Sequence, residues 1–397
     1  MAAAPVVRSE AYNNALQARI DATPHGATLT LEPGTYAGPI LLQRPISILG
    51  QPGTRIVGNG RGSVVIIQTD DALLANLEIR GGGHDAHAGD AGIRVTGMRI
   101  TLENLDIRDT LMGIDFAQTR DSFIRDCRIT GPDDGPMGIR GDGIRLWEST
   151  GNTVTNNLTH RVRDVVVWYS EDNHFEGNTI ENGRYGLHFM HSNGNHVIGN
   201  QLHENVVGIF VMYSSGIVLQ DNALVGARGA AGMGVGCKES DRMQIVNNRI
   251  VDNTTGIYID ACPHRVDGQS AIDKNLIGFN HVGLRFHQVK AGIAVTENEF
   301  YENGEAVVVD GGGDAMLGTF LHNRWSEYAG YDLDGDQLGD LPYAPAGVSR
   351  GLMQRRPTAT FFVGTPAAWL LDFLGTAFPM FAPKPLFTDA EPRMGPP

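Results

Sequence analysis

A repeated segment constrains the fold of this 397-residue chain more than any other feature. In its clearest copies, an asparagine stands eight residues before a small residue that opens a run of alternating apolar side chains. The five clearest copies begin at Asn178, Asn200, Asn248, Asn275 and Asn298. Their starts lie 22, 48, 27 and 23 residues apart, and a degenerate copy in the long gap shortens the real period. A period of this length is typical of one coil of a solenoid.

The content of each copy indicates which solenoid this is. Every copy carries short apolar runs with strand alternation, bounded by Asn or Gly, and none carries an apolar helical stripe. The sequence therefore predicts an all-β fold, a right-handed parallel β-helix of about ten coils at the usual inter-strand spacing. The opening asparagines are predicted to stack as a ladder in one turn and to tolerate left-handed backbone there.

Both ends of the predicted solenoid have candidate covers. Residues 1–357 are predicted to form the β-helix with an N-terminal cap, a short helix opening at Ser9. Residues 358–397 are predicted to form an extended or short-helical docking tail, with Thr365 and Pro366 at the start of a helix too short to span a bilayer. The tail would cap the solenoid or dock on a membrane protein, and the residues leave both roles open.

Composition excludes several classes of function. A formal charge of −14 and a pI near 5.3 disfavour nucleic acids and anionic membranes as partners and favour cations and cationic surfaces. Three cysteines are too few for a disulfide framework. No apolar run is long enough for a membrane span. The first residues lack the charged and apolar regions of a signal peptide, so the chain is expected to be cytosolic or a mature secreted form.

The apolar runs predict which side chains face outward. When the runs are aligned on their turn residue, strand alternation directs the first and third following residues inward and the second and fourth outward. The fourth positions form a column of Trp147, Trp168, Met190, Met212, Lys238, Asp260 and His287. The second positions form a column of Arg145, Val166, His188, Phe210, Gly236, Tyr258 and Arg285. A contiguous apolar surface of this kind is typical of a binding site.

Two chemistries fit this surface. His188 and Met190 lie two residues apart on one strand, Met212 is expected one coil away, and His191 is close in sequence. Thioether and imidazole groups together favour Cu(I), so these four residues are a candidate copper site. Met and aromatic side chains also cover protein or ligand contacts. The partner-contact residues in that interpretation are Trp147, Trp168 and Phe210.

An acidic segment near residue 335 is a second candidate metal site. Asp332, Asp334, Asp336 and Asp340 surround Gly335 with a spacing similar to that of a calcium loop. The twelfth position, usually glutamate, is Tyr343. The alternative is an acidic turn held by its own backbone.

A carbohydrate-binding or polysaccharide-modifying function, such as a lyase or epimerase, is the alternative for the whole chain. Such chemistry requires a base and a neutralising cation on one groove. The candidates are Asp115, Arg145, Tyr258, Asp260 and Arg285. These carboxylates are scattered and the middle of the face is apolar, which favours a protein that is not an enzyme.

Four segments resemble the NosD family, periplasmic copper-processing β-helix proteins of nitrous oxide reductase maturation. They are "GDGIRLWES", "DVVVWYSEDN", "RYGLHFMHS" and "NRWSEYAGYDLDGDQLGDLPY". The resemblance implies a non-enzymatic periplasmic subunit, its signal peptide removed, that associates with the ATPase and permease of an ABC-type complex. It also implies a copper chaperone as donor and the copper–sulfide centre of nitrous oxide reductase as destination, with copper, sulfur or a conformational signal as the transferred species. On that view the "GLHFM" and "GIFVM" strands handle copper, and the apolar tail, with Trp369 and Phe373, contacts the permease.

Overall fold

The alternating apolar runs form short strands that pair in parallel with equivalent strands one repeat away. A computed structural model describes residues 12, 14–132, 136–265, 267–347, 361–362, 365–378 and 384–395. These residues belong to two compact units, Met1–Val206 and Val207–Pro397. Each unit is a stretch of parallel β-solenoid, as the repeat predicted. Among the residues described, no helix is both long and apolar enough to cross a membrane.

Among the described residues, the first unit contains one α-helix, a short 3-10 helix (Met137–Ile139) and the first 21 strands. They are α1 (Ala15–Ala22), β1 (Thr28–Leu31), β2 (Gly34–Ala37), β3 (Ile40–Leu42), β4 (Ser47–Gly50), β5 (Thr54–Val57), β6 (Val65–Ile67), β7 (Leu73–Arg80), β8 (Ala91–Val95), β9 (Thr101–Arg108), β10 (Met112–Ala117), β11 (Phe123–Arg125), β12 (Arg128–Thr130), β13 (Ile144–Trp147), β14 (Thr153–Thr155), β15 (Leu158–His160), β16 (Asp164–Trp168), β17 (His174–Glu176), β18 (Thr179–Glu181), β19 (Tyr185–Met190), β20 (His196–Ile198) and β21 (Gln201–His203).

The second unit contains the remaining strands and the helix of the tail. They are β22 (Val207–Met212), β23 (Val218–Gln220), β24 (Ala223–Val225), β25 (Met233–Lys238), β26 (Gln244–Val246), β27 (Arg249–Val251), β28 (Thr255–Asp260), β29 (Ser270–Asp273), β30 (Leu276–Gly278), β31 (Val282–His287), β32 (Ile293–Thr296), β33 (Glu299–Tyr301), β34 (Glu305–Asp310), β35 (Thr319–Leu321), β36 (Arg324–Trp325) and α2 (Pro366–Ala377).

One side of each unit carries the candidate site. In the first unit it is formed by β3, β6, β8, β10, β13, β16 and β19, and in the second by β22, β25, β28, β31 and β34. We call this side the site sheet. This sheet has seven described strands in the first unit and five in the second, and each coil contributes one strand. The total is larger than the ten coils predicted, because the early repeats are too degenerate to count from the sequence. The remaining strands of each unit form the other two sides of the coil.

Buried asparagine ladders hold successive coils together. In the first unit Asn178 Nδ2 donates to Asn200 Oδ1 at 2.9 Å, while Asn178 Oδ1 accepts from the backbone N–H of Asn157 at 3.0 Å. In the second unit Asn275 Nδ2 likewise donates to Asn298 Oδ1, and Asn275 Oδ1 accepts from the backbone N–H of Asn248. The predicted ladder is therefore confirmed. The left-handed residues directly precede the ladder, as at Asn156 and Asn247, and the rungs themselves are not left-handed.

A helix and a returning segment of the tail cover the ends of the coils. Helix α1 is capped by Asn14, whose Oδ1 accepts from Gln17 N, so the prediction of a cap helix is confirmed. The predicted start at Ser9 lies outside the described residues. In the second unit, Phe387 from the tail stacks on Phe320 at 4.3 Å and is 1% exposed. The end of the tail therefore covers the last coil of its own unit.

Candidate metal and partner-binding face

The register of the site sheet places the predicted residues of the first unit in two outward columns. Val166 pairs with His188 and Trp168 pairs with Met190 on adjacent strands. Between them, Phe189 points into the core and is fully buried. The period-two alternation of the sequence therefore directs the imidazole and the thioether to the same side of the sheet.

His188 is more enclosed than an outward strand position requires. Its side chain lies between the Trp168 ring at 5.5 Å and the Tyr185 ring at 4.7 Å, and the residue is only 7% exposed. Burial lowers the pKa of the imidazole, and this outweighs the opposing effect of the Asp164 carboxylate. His188 is thus held in the neutral form, which is the form that binds a metal ion.

Aromatic rings extend this environment along the sheet. Trp147 contacts Trp168 edge-on at 6.0 Å and Tyr169 at 5.4 Å. His191, just beyond the end of β19, has a φ of +51° and stacks on Tyr169 at 5.3 Å with an interplanar angle of 11°. Trp168 Nε1 is buried without a hydrogen-bond partner among the described residues. We call Trp147, Trp168, Tyr169, Tyr185, His188, Met190 and His191 the aromatic face.

Buried aspartates and half-exposed arginines border the aromatic face. Arg145 donates through Nε and Nη2 to Asp115 at 2.8 and 2.9 Å, and Asp115 is fully buried. Arg163 bonds Asp142 in the same two-point manner, and Arg184 bonds Asp164. Asp142 and Asp164 are also buried, with only 4% and 1% of their surfaces exposed.

These ion pairs follow from the repeat, although sequence reasoning identified only Asp115 and Arg145 among them. The missed signal is an aspartate in one turn followed about one coil later by an arginine, as in Asp142 with Arg163 and Asp164 with Arg184. Burial raises the pKa of Asp142 to about 6, a larger effect than the opposing attraction of Arg163. The border of the aromatic face therefore consists of charged side chains, and each arginine there is balanced by a buried aspartate.

Met212 and Phe210 lie on the site sheet of the second unit. Met212 pairs with Lys238 and Phe210 with Gly236. A Cβ at Gly236 would lie 2.3 Å from the Phe210 ring, so the aromatic side chain occupies the space that the missing side chain leaves. His188, Met190 and His191 belong to the first unit, so the predicted approach of Met212 to them stays a prediction.

The acidic segment brings together three of its four predicted aspartates. Carboxylate oxygens of Asp332, Asp334 and Asp336 lie within 4.8 Å of one another. Asp332 accepts backbone hydrogen bonds from Gly335 N and Gln337 N, and the bond from Gly335 is the main cause of its lowered pKa. Asp340 instead accepts from Leu333 N at 2.6 Å. Much of the acidic turn is thus held by its own backbone, and calcium binding stays a prediction.

The tail helix exposes the residues predicted to contact a partner. Thr365 caps α2 by accepting from Ala368 N, as the Thr-Pro pair predicted. Trp369 and Phe373 stack at 5.7 Å and are 69% and 53% exposed. This is an unusually apolar surface for a helix in water.

Comparison with known proteins places this geometry in a class. Among solved structures, the A-module of the mannuronan C-5 epimerase AlgE6 of Azotobacter vinelandii is similar over 76% of this chain and 95% of its own, with a TM-score of 0.59 and 16% identity. The Streptococcus pneumoniae adhesin PfbA is similar over 74% and 94%, with a TM-score of 0.53 and 11% identity. These likenesses establish the class as parallel β-helix proteins and extend to the fold alone.

Sequence comparison identifies the family. The model of the family described as periplasmic copper-binding protein (NosD) matches residues 132–333, a little over half of the chain. Proteins named probable ABC transporter binding protein NosD are similar: that of Pseudomonas aeruginosa is 26% identical over 92% of this chain and 87% of its own. The protein of that name from Stutzerimonas stutzeri is 28% identical over 92% and 86%. The chain belongs to the NosD family, which confirms the resemblance drawn from its motifs.

Proposed function

We propose that this chain is the periplasmic, non-enzymatic subunit of an ABC-type complex and handles copper for assembly of the copper–sulfide centre of nitrous oxide reductase. His188 is the observation that carries the proposal. An imidazole kept neutral between two aromatic rings, two residues from an outward thioether, is a donor set suited to Cu(I). Aromatic walls favour a monovalent soft ion over a strongly hydrated divalent one.

The partners follow from the proposed role. A copper chaperone and the reductase would meet the aromatic face, where Trp147 and Trp168 present rings at the surface. The exposed α2, with Trp369 and Phe373, would contact the permease, which in turn binds the ATPase. The three grouped aspartates would hold calcium as a structural ion near the last coil.

An anaerobic competition titration tests the copper assignment. The purified chain is titrated with Cu(I) against a chromophoric chelator, beside His188→Gln, Met190→Ala, His191→Gln and Met212→Ala. We expect the wild type to compete and both His188→Gln and Met190→Ala to lose at least about tenfold in affinity, because each removes one soft or neutral donor. The result for Met212→Ala decides whether the second unit supplies a ligand.

Met233→Ala is a matched control, because this methionine lies on the second unit's site sheet beside Phe210 and outside the predicted donor set. Retention of full affinity by His188→Gln and Met190→Ala together would contradict the assignment. If the wild-type chain never competes with the chelator for Cu(I), the copper site would have to lie on another subunit of the complex.

A carbohydrate-related function is the second candidate. Arg285, which forms no ion pair with a carboxylate in the part of the chain that the structure describes, favours it as a binding function.

A further inference from the structure

The site sheet of the second unit carries a polar cluster that the proposed copper role does not use. It consists of Tyr258, Arg285, His287 and Asp310, on the adjacent strands β28, β31 and β34. Tyr258 pairs with Arg285, and Asp310 pairs with His287. A cation, an imidazole and a phenol therefore face the same side within three coils.

Arg285 is the unusual member of this cluster. Its Nε is buried and makes no hydrogen bond, and among the described residues no carboxylate forms an ion pair with it. By contrast, Arg145, Arg163 and Arg184 of the first unit each donate to a buried aspartate. A guanidinium that is partly withdrawn from water without an acceptor costs free energy, and a bound anion would remove this cost.

The neighbouring side chains are oriented by the protein. His287 Nδ1 and Asp310 Oδ1 lie 2.7 Å apart, and Gly311 packs so closely on the imidazole that a Cβ there would lie 2.4 Å from it. The Tyr258 ring stacks on the His287 ring at 6.0 Å with an interplanar angle of 24°. Burial, followed by the Asp260 and Asp310 charges, raises the pKa of Tyr258 to about 12. The phenol therefore stays protonated and can donate a hydrogen bond.

We propose that this cluster is a binding site for the carboxylate group of an acidic sugar. A carboxylate can bridge two N–H groups of a guanidinium, and no carboxylate of the described residues occupies that place at Arg285. A single negative charge fits better than a phosphate dianion, because Asp260 and Asp310 lie nearby and repel a second charge. The stacked rings of Tyr258 and His287 offer an apolar surface for a sugar ring, and the phenol offers a donor for a sugar hydroxyl.

The test measures binding of acidic oligosaccharides to the full chain by calorimetry. The probes are galacturonate and mannuronate oligosaccharides, neutral glucose oligosaccharides of equal length, and inorganic phosphate and sulfate. We expect an acidic oligosaccharide to bind and the neutral ones to bind far more weakly. Arg285→Gln should weaken binding by at least about 30-fold, because it removes a charged donor from a partly desolvated pair. Arg228→Gln is the matched control, since Arg228 pairs with Asp252 on the surface of the same unit.

The melting temperature separates this proposal from a structural role of Arg285. An arginine kept for a ligand can be removed without loss of stability, so Arg285→Gln should melt at the wild-type temperature or above it. A lower melting temperature, equal binding of neutral and acidic sugars, a preference for phosphate or sulfate, or no binding of either uronate series would each overturn the proposal. Copper titration of the same samples is independent, because none of the proposed copper donors belongs to this polar cluster.

Discussion

The site sheets of the two units carry different side chains on the same kind of coil. In the first unit the site sheet carries aromatic rings, His188 and Met190, and its arginines are neutralised by buried aspartates. In the second unit the positions equivalent to Met190 include Met212, Lys238, Asp260 and His287, and among the described residues no carboxylate forms an ion pair with Arg285. Because inward residues build the coil, outward positions are free to vary. The same kind of coil can thus carry an aromatic surface in one unit and a largely polar surface in the other.

The largest expected contrast concerns the buried aspartates. Asp164→Ala should destabilise the protein by about 3–5 kcal/mol, since it leaves the guanidinium of Arg184 and the backbone N–H of Tyr185 without their buried acceptor. Asp310→Ala in the second unit should cost about 1 kcal/mol or less, because its pair with His287 is partly exposed. Chemical denaturation compares the two variants. Equal losses would contradict the distinction between a buried and a surface network.

The asparagine ladder should show no such contrast. Asn178→Ala and Asn275→Ala each remove a buried amide that donates and accepts along the ladder, so each should cost about 2–4 kcal/mol. Denaturant midpoints test whether the two losses agree. A loss confined to one unit would mean that the scaffold, as well as its surface, differs between the units.

The buried acid of the first unit should respond to pH. The pKa of Asp142 is raised to about 6, so the folded chain binds a proton more readily than the unfolded chain and becomes relatively less stable as pH rises from about 4 to 6. Asp142→Asn removes this penalty and should stabilise the protein by about 2 kcal/mol near pH 7.5.

The control for this prediction is the same pair of proteins near pH 4.5, where the wild-type Asp142 is largely protonated. The difference in stability between wild type and Asp142→Asn should shrink there. An asparagine variant that is less stable at both pH values would show that attraction to Arg163 outweighs burial.

The smallest effect is expected in the second unit. Lys238→Ala should change stability by roughly 0.5 kcal/mol or less, because its contact with Asp260 is 3.8 Å long and about a third of the lysine side chain is exposed. Thermal melting measures it. A loss above about 2 kcal/mol would show that the polar surface is a stabilising network after all.

The sequence by itself determined the repeat, the class of fold, the ladder asparagines and the direction of the site-sheet side chains. It could do so because period-two alternation and fixed turn spacing are local properties that recur in every coil. The same locality predicted the Thr-Pro start of the tail helix. The family likewise follows from motifs such as "RYGLHFMHS" that are contiguous in the chain.

Only the tertiary structure decided the features that depend on distant or buried contacts. His188 becomes enclosed because Tyr185 and Trp168 both pack against its ring. Asp389 accepts from Asn323 and from Trp325 Nε1 at 3.0 Å, and so supplies the last rung of a ladder from 66 residues downstream. No periodic signal marks such a residue, since its role depends on where the tail returns. Burial and long-range pairing are properties of the folded chain, and they set both the charge state and the neighbours of each candidate site.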